Sequence, residues 1–225
     1  MRDASRKKTA FIVLILVMTL LTAGSMTAHA AGSKKKALAA YKTFLEQNMV
    51  QRNARGAITN ASTAITRFAI IYLDKNSVPE LIVEKSGLMM SPFVYTWKNG
   101  KMTALSSSDF SASETVYGYY KKKGCLVMSY ESNGYPYHSF INDYAVIKGK
   151  KLIRRLRKQY LGTASKAVEG PNYSYNSKNT TDSSPSKKIT KSSFNSKLKK
   201  IVGSKKMVKI KLVENTAGNR NAKCK

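Results

Sequence analysis

The chain has 225 residues, with 40 Lys/Arg against 12 Asp/Glu and a formal net charge of +28. That length suits one domain, with or without a tail, and is long enough for a real core; the charge bears on solubility and partners, not on fold. Two cysteines and, beyond the first 30 residues, a single histidine exclude zinc sites built on several His or Cys.

Residues 1–30 read as a cleavable export signal. Arg2, Arg6, Lys7 and Lys8 form a basic leader, Ala10 to Leu21 is an apolar run interrupted only by Thr19, and Thr22 to Thr27 is small and polar. Ala28-His29-Ala30 supplies an A-x-A cleavage site. The apolar run is shorter than the ~20 residues that span a bilayer, so cleavage is favoured over an uncleaved anchor. No cysteine adjoins the site for lipid attachment, and Arg6-Lys7-Lys8 is not a twin-arginine signal. The expected mature chain begins near Ala31 and keeps 36 basic and 11 acidic residues, a net charge of +25.

Residues 33–53 carry Leu38, Tyr41, Leu45 and Met49 at helical spacing behind Ser33 as N-cap, which predicts a helix. Lys34-Lys35-Lys36 lie at the wrong end for the helix dipole, so its start should fray. From 66 to about 157 the pattern is that of strands. Phe68 to Leu73 and Leu81 to Val83 read as buried strands. Phe93 to Lys98, Asn99-Gly100 and Lys101 to Leu105 read as a hairpin. Val116 to Tyr120 and Cys125 to Tyr130 form a second around Lys121–Gly124; Tyr144 to Ile147 and Lys151 to Ile153 form a third around Gly149. The turn glycines Gly100, Gly124 and Gly149 hint at a hairpin rhythm, although three units do not establish a repeat.

Residues 162–190 have loop composition, with Tyr173 and Tyr175 as a candidate short strand. A second helix is expected from Thr190 as N-cap to Gly203, with Phe194, Leu198 and Ile201 on one face. Met207 to Val213 reads as an amphipathic strand before a polar tail. The expected fold is α+β: an antiparallel β-meander with an N-terminal and a C-terminal helix. Its expected parts are a signal at 1–30, helix plus meander at 31–161, a polar loop at 162–190, and a helix, strand and tail at 191–225.

Phe68 to Val83, FAIIYLDKNSVPELIV, carries the one recognisable motif. It resembles the F-A-L-I-D-x-N-G-D-G-x-P-E-L segments of uncharacterised secreted proteins and lipoproteins of gut Firmicutes. Its loop is similar to the calcium loops of FG-GAP and VCBS repeat proteins. The resemblance implies oxygen ligands at alternate positions and a glycine turn. Here Asp74, Asn76 and Glu80 hold ligand positions, but Tyr72 stands where the resemblance places Asp, and Ser77 replaces the turn glycine. The resemblance brings no activity with it, and calcium affinity should be greatly reduced.

Few residues suggest catalysis. After cleavage His138 is the single histidine, in an aromatic strand pattern. S-x-x-K at Ser184–Lys187 and Ser196–Lys199 is close to chance in so Ser- and Lys-rich a chain. Asp109, Glu114, Glu131 and Asp143 are candidate carboxylates without a spacing that selects a pair. Tyr117, Tyr119, Tyr120, Tyr130, Tyr135, Tyr137 and Tyr144 could stack on sugars or bases, though strand propensity accounts for them more simply. Cys125 and Cys224 permit a disulfide in an exported chain. No catalytic residue, cofactor or metal site is assigned. Lys outnumbers Arg, which suits diffuse adhesion to an anionic wall polymer or another extracellular polyanion more than specific nucleic-acid recognition. No membrane association is expected after cleavage. The alternatives are a secreted hydrolase with an unrecognised site, and a structural or interaction protein.

Overall fold

The computed structural model describes residues 32–55, 60, 64–86, 92–105, 114–134, 137–163, 166–178 and 185–225; the expected signal at 1–30 lies outside them. The fold is α+β, with two antiparallel sheets of five and seven strands. Helix α1 (32–47) precedes the first sheet: β1 (Ile65–Ile71), β2 (Glu80–Lys85), β3 (Pro92–Lys98) and β4 (Lys101–Ala104). The second sheet follows with β5 (Thr115–Tyr120), β6 (Cys125–Gly134), β7 (Tyr137–Lys148), β8 (Lys151–Thr163), β9 (Lys166–Tyr175) and β10 (Lys187–Ile189). Then come α2 (Lys191–Val202), β11 (Val208–Lys209), β12 (Val213–Glu214) and α3 (Ala217–Lys223). Spatial orders are β12-β1-β2-β3-β4 and β10-β9-β8-β7-β6-β5-β11, so the expected meander is two meanders.

Four layers result. Ala69, Ile71, Ile82 and Val94 of the first sheet pack against Leu126, Met128, Ala145 and Leu152 of the second. The other face of the first sheet, through Phe68, Leu81 and Val83, receives Ala37, Leu38, Tyr41 and Leu45 of α1. The other face of the second, through Cys125, Val127 and Val146, receives Leu198, Ile201 and Val202 of α2. Side chains alternate across a strand, so each central strand is apolar on both faces. This is why Phe68 to Leu73 and Leu81 to Val83 read as unbroken apolar runs rather than alternating ones.

Turn chemistry seats the hairpins. Asn99 and Gly100 both take positive φ, 52° and 77°, as a two-residue hairpin turn requires. α2 runs between the expected caps: Thr190 accepts from the Ser193 N–H, and the Gly203 N–H donates to the Lys199 carbonyl.

Several expectations are corrected. The first helix stops at 47, where the Asn48 side chain donates to the Phe44 carbonyl; Met49 leaves the buried face, is 45% exposed and bridges Ile65. The segment 162–190 is not simply a loop. β8 runs to Thr163, and β9 and β10 fall within it, because a marginal strand is held by backbone pairing and needs little apolar surface. Gly100 belongs to a different sheet from Gly124 and Gly149, so their spacing is no structural repeat. The single strand expected at 207–213 is two, and the polar tail forms α3 behind Thr216 as N-cap.

This C-terminal segment straps the sandwich. β11 extends the second sheet beside β5, Ile210 and Leu212 pack on the inner core, and β12 extends the first sheet beside β1. Asn215 closes the strap: its side-chain amide donates to the Leu45 and Ile65 carbonyls, its N–H donates to Thr66, and its Oδ1 accepts from Arg220. Asn215→Ala should lower unfolding stability by about 2 kcal/mol, since it strips partners from half-buried carbonyls; urea denaturation of the two proteins checks this.

Candidate functional site

In the loop between β1 and β2, the Asp74 carboxylate accepts the Asn76 N–H at 2.9 Å and its Nδ2 at 2.7 Å, while the Asn76 Oδ1 accepts the Val78 N–H at 2.8 Å. The oxygens a cation would need thus close the turn on itself. Glu80 is fully buried: one oxygen accepts the Leu73 N–H at 2.8 Å, and the other has no hydrogen-bond partner among the described residues. Burial, with the Asp74 charge adding to it, pushes the Glu80 carboxyl up to about 8. Tyr72, at the first ligand position, contributes its carbonyl to the Lys122 N–H. With its side-chain oxygens engaged in closing the turn and in holding Leu73, this donor set does not fit a calcium ion. No group of three or more His, Cys, Asp or Glu that could hold a metal occurs among the described residues.

The loop serves instead as a joint. The Leu73 carbonyl accepts the Gly124 N–H at 2.7 Å, and the Gly124 carbonyl accepts the Ile147 N–H at 2.9 Å. A chain of hydrogen bonds therefore runs from Glu80 through the β5–β6 turn to β7.

Two of the four candidate carboxylates, Glu114 and Asp143, are paired with arginines. Glu114 accepts from Nη2 of Arg154 at 2.6 and 2.8 Å. Asp143 takes the fork of Arg157 at 2.8 Å on each oxygen and lies 3.4 Å from Arg154 Nε. Arg157 also donates to the Tyr130 hydroxyl at 2.7 Å. Two buried acids matched to two arginines form a charge-paired network inside the second sheet. Glu131 is exposed on β6, and Asp109 lies outside the described residues. The His138 backbone pairs with Gly162 and Asn133, but its side chain lies outside the described residues. Ser196 and Lys199 are exposed on α2; Ser184 is outside the described residues.

Among the described tyrosines of this group, three serve packing. Tyr119 and Tyr120 are buried, Tyr144 meets Phe194 edge-on, and Tyr117 is 41% exposed beside Lys209. Tyr135 and the Tyr137 side chain lie outside the described residues. Cys125 and Cys224 are both free and belong to opposite outer layers, Cys125 under α2 and Cys224 beside α1. Burial pushes the Cys125 thiol up to about 12, so it is inert.

What the tertiary structure assembles is cationic. Cys125 pairs with Val146 across β6 and β7, so the Lys121–Gly124 turn and the Lys148–Lys151 turn lie at the same end of the sheet. The C-terminal part of α2 comes to that end too: a Cβ on Gly203 would lie 3.4 Å from Lys123 Nζ. Between them is a cavity of about 530 Å³. Its charged lining is Lys123, Lys148, Arg155, Lys197 and Lys200, with Val146, Ile147, Ile201 and Tyr175 supplying apolar wall. Lys197 Nζ sits 4.1 Å from the Tyr175 ring centroid. Arg155 is 8% exposed, its guanidinium donating to the carbonyls of Asn176 and Lys178 at 3.1 and 2.6 Å. A somewhat larger groove, about 610 Å³, at the β1–β2 margin is of mixed sign, and there Arg67 and Glu84 close on each other at 2.6 and 2.8 Å. The lysines of the two turns and of α2 are plain in the sequence, and Tyr175 is legible there only as part of a short strand; nothing local marks Arg155 or Tyr175 as facing a pocket.

Among the described residues no helix is long and apolar enough to cross a membrane. Comparison with protein-family models, curated proteins and solved structures returns no match for this chain.

The raised Glu80 pKa has a consequence for stability. The folded chain holds a proton that the unfolded chain releases near 4.5, so the Glu80 contribution should weaken stability as pH rises from about 4.5 to about 8 and level off above that. Urea unfolding across pH should show Glu80→Gln gaining on the wild type through that window, with a constant difference beyond it.

Proposed function

We propose that the chain is a secreted, strongly basic, non-catalytic module held at the anionic cell envelope or at another extracellular polyanion. One observation carries the reading. Lys123, Lys148, Lys197 and Lys200, drawn from the clusters at 121–123, 148–151 and 197–200 on two turns and a helix far apart in sequence, meet around one cavity whose charged lining is entirely cationic. Five cations therefore converge on one cavity at that end of the sandwich, and such a cluster attracts polyanions more strongly than the same five charges spread evenly. The export signal at 1–30 supports action outside the cell, where wall polymers are the abundant anions. The resemblance of the Asp74 loop to secreted proteins and lipoproteins of gut Firmicutes points to a Gram-positive bacterial setting. The pairing of Glu114 and Asp143 with arginines favours binding over hydrolysis.

Purified protein should co-sediment with isolated Gram-positive walls, and the bound fraction should fall steadily along a salt series as counterions compete. Stripping teichoic acid from the walls should abolish co-sedimentation. Absence of binding at low salt would refute this function.

A further inference from the structure

We propose that the cavity between α2 and the two lysine turns is a shaped binding site for a multiply charged phosphate ligand, at least two phosphate groups on a polyol, sugar or inorganic chain. The inference rests on the polyanion reading and goes further, since retention by diffuse charge needs no pocket.

Three features distinguish this cavity from a solvated lysine surface. Three of its five cations are confined. Lys197 lies on the Tyr175 ring at 4.1 Å, the Arg155 guanidinium is bound to two backbone carbonyls, and Lys123 is half-buried beside Gly203. Side chains already fixed lose little freedom when a ligand arrives. The turn that carries Lys123 is itself fixed, by Lys122 and Gly124 N–H groups donating to the Tyr72 and Leu73 carbonyls.

The second feature is charge. Five cations line about 530 Å³ and no carboxylate shares the lining. Their mutual repulsion is relieved in proportion to the ligand's charge, so an anion bearing several charges gains far more than a single carboxylate. Four of the five are lysines, point charges that donate to phosphate oxygens from many directions and so suit successive groups along a chain. The third feature is the wall of Val146, Ile147, Ile201 and Tyr175, which offers apolar contact to the carbon atoms between phosphates. The volume falls in the range of small-molecule sites.

The test is calorimetric titration of the purified protein with tripolyphosphate and with an oligomer of glycerol phosphate, against acetate as the singly charged control. Both phosphate probes should bind and acetate should not. Binding of only one phosphate probe would still support the site and would identify its source, a free inorganic chain or a polyol-phosphate polymer. Lys197→Ala/Lys200→Ala removes two charges from the cavity at the helix surface. Lys35→Ala/Lys36→Ala removes two exposed charges on α1, in the opposite layer of the sandwich. The first pair should weaken phosphate binding roughly tenfold or more, the second less than about twofold. Equal losses would show that net charge alone acts; the pocket would fall and the polyanion reading would stand. Wall binding without binding of either phosphate probe would likewise overturn the pocket alone. Failure of wall and phosphate binding together would end both.

Discussion

The structure depends on the burial of one face of each sheet against the other. Once Ile82 and Val94 meet Leu126 and Ala145, both sheets have an inner apolar face and an outer face that is still apolar at alternate positions. Burial contributes roughly 25 cal/mol for each Å² of apolar surface removed from water, so the outer faces cannot remain exposed without cost. α1 and α2 cover them. The helices near the two ends of the fold thus follow from a sheet pair built of strands that are apolar on both sides.

The same arrangement explains where polar groups are tolerated inside. Glu80, Glu114, Asp143 and Arg155 are all buried, each with at least one hydrogen-bond partner in the protein. Arg154 and Arg157 neutralise two of the acids, whereas Glu80 has no cation beside it and relies on backbone N–H groups, that of Leu73 foremost, and on carrying its own proton. That costly placement lies at the joint between the sheets. The strand ends of the first sheet meet the β5–β6 turn there through backbone hydrogen bonds. The resemblance to a calcium loop therefore describes a local shape, a strand–turn–strand connection, whose oxygens in this chain serve folding.

Basicity acquires a location through topology. In an antiparallel meander alternate turns fall at the same end, so the turns bearing Lys121–Lys123 and Lys148–Lys151 become neighbours although 25 residues separate their glycines, Gly124 and Gly149. α2 adds Lys197 and Lys200 because its apolar stripe of Phe194, Leu198 and Ile201 fixes which face turns inward. The basic cavity is thus a by-product of how the outer layer packs.

Local signals alone determined the hairpin turns, the caps of α2 and the strand runs. Asn99-Gly100, Thr190 and Gly203 act through their own backbone geometry, and apolar runs report burial wherever they end up. The lysines at 121–123, 148–151 and 197–200 are equally plain in the sequence, but only as separate runs of charge. Only the tertiary structure decided that two sheets rather than one would form. It likewise placed strands in the polar segment 166–175, sent the C-terminal segment across both sheets, and left the Asp74 oxygens turned inward. Those outcomes rest on pairings between residues far apart in the chain, such as Asn215 with Leu45 or Arg154 with Glu114, whose energies have no counterpart in composition or spacing. The cavity is of that kind: each lysine was legible by itself, and their convergence is a property of strand order and helix docking.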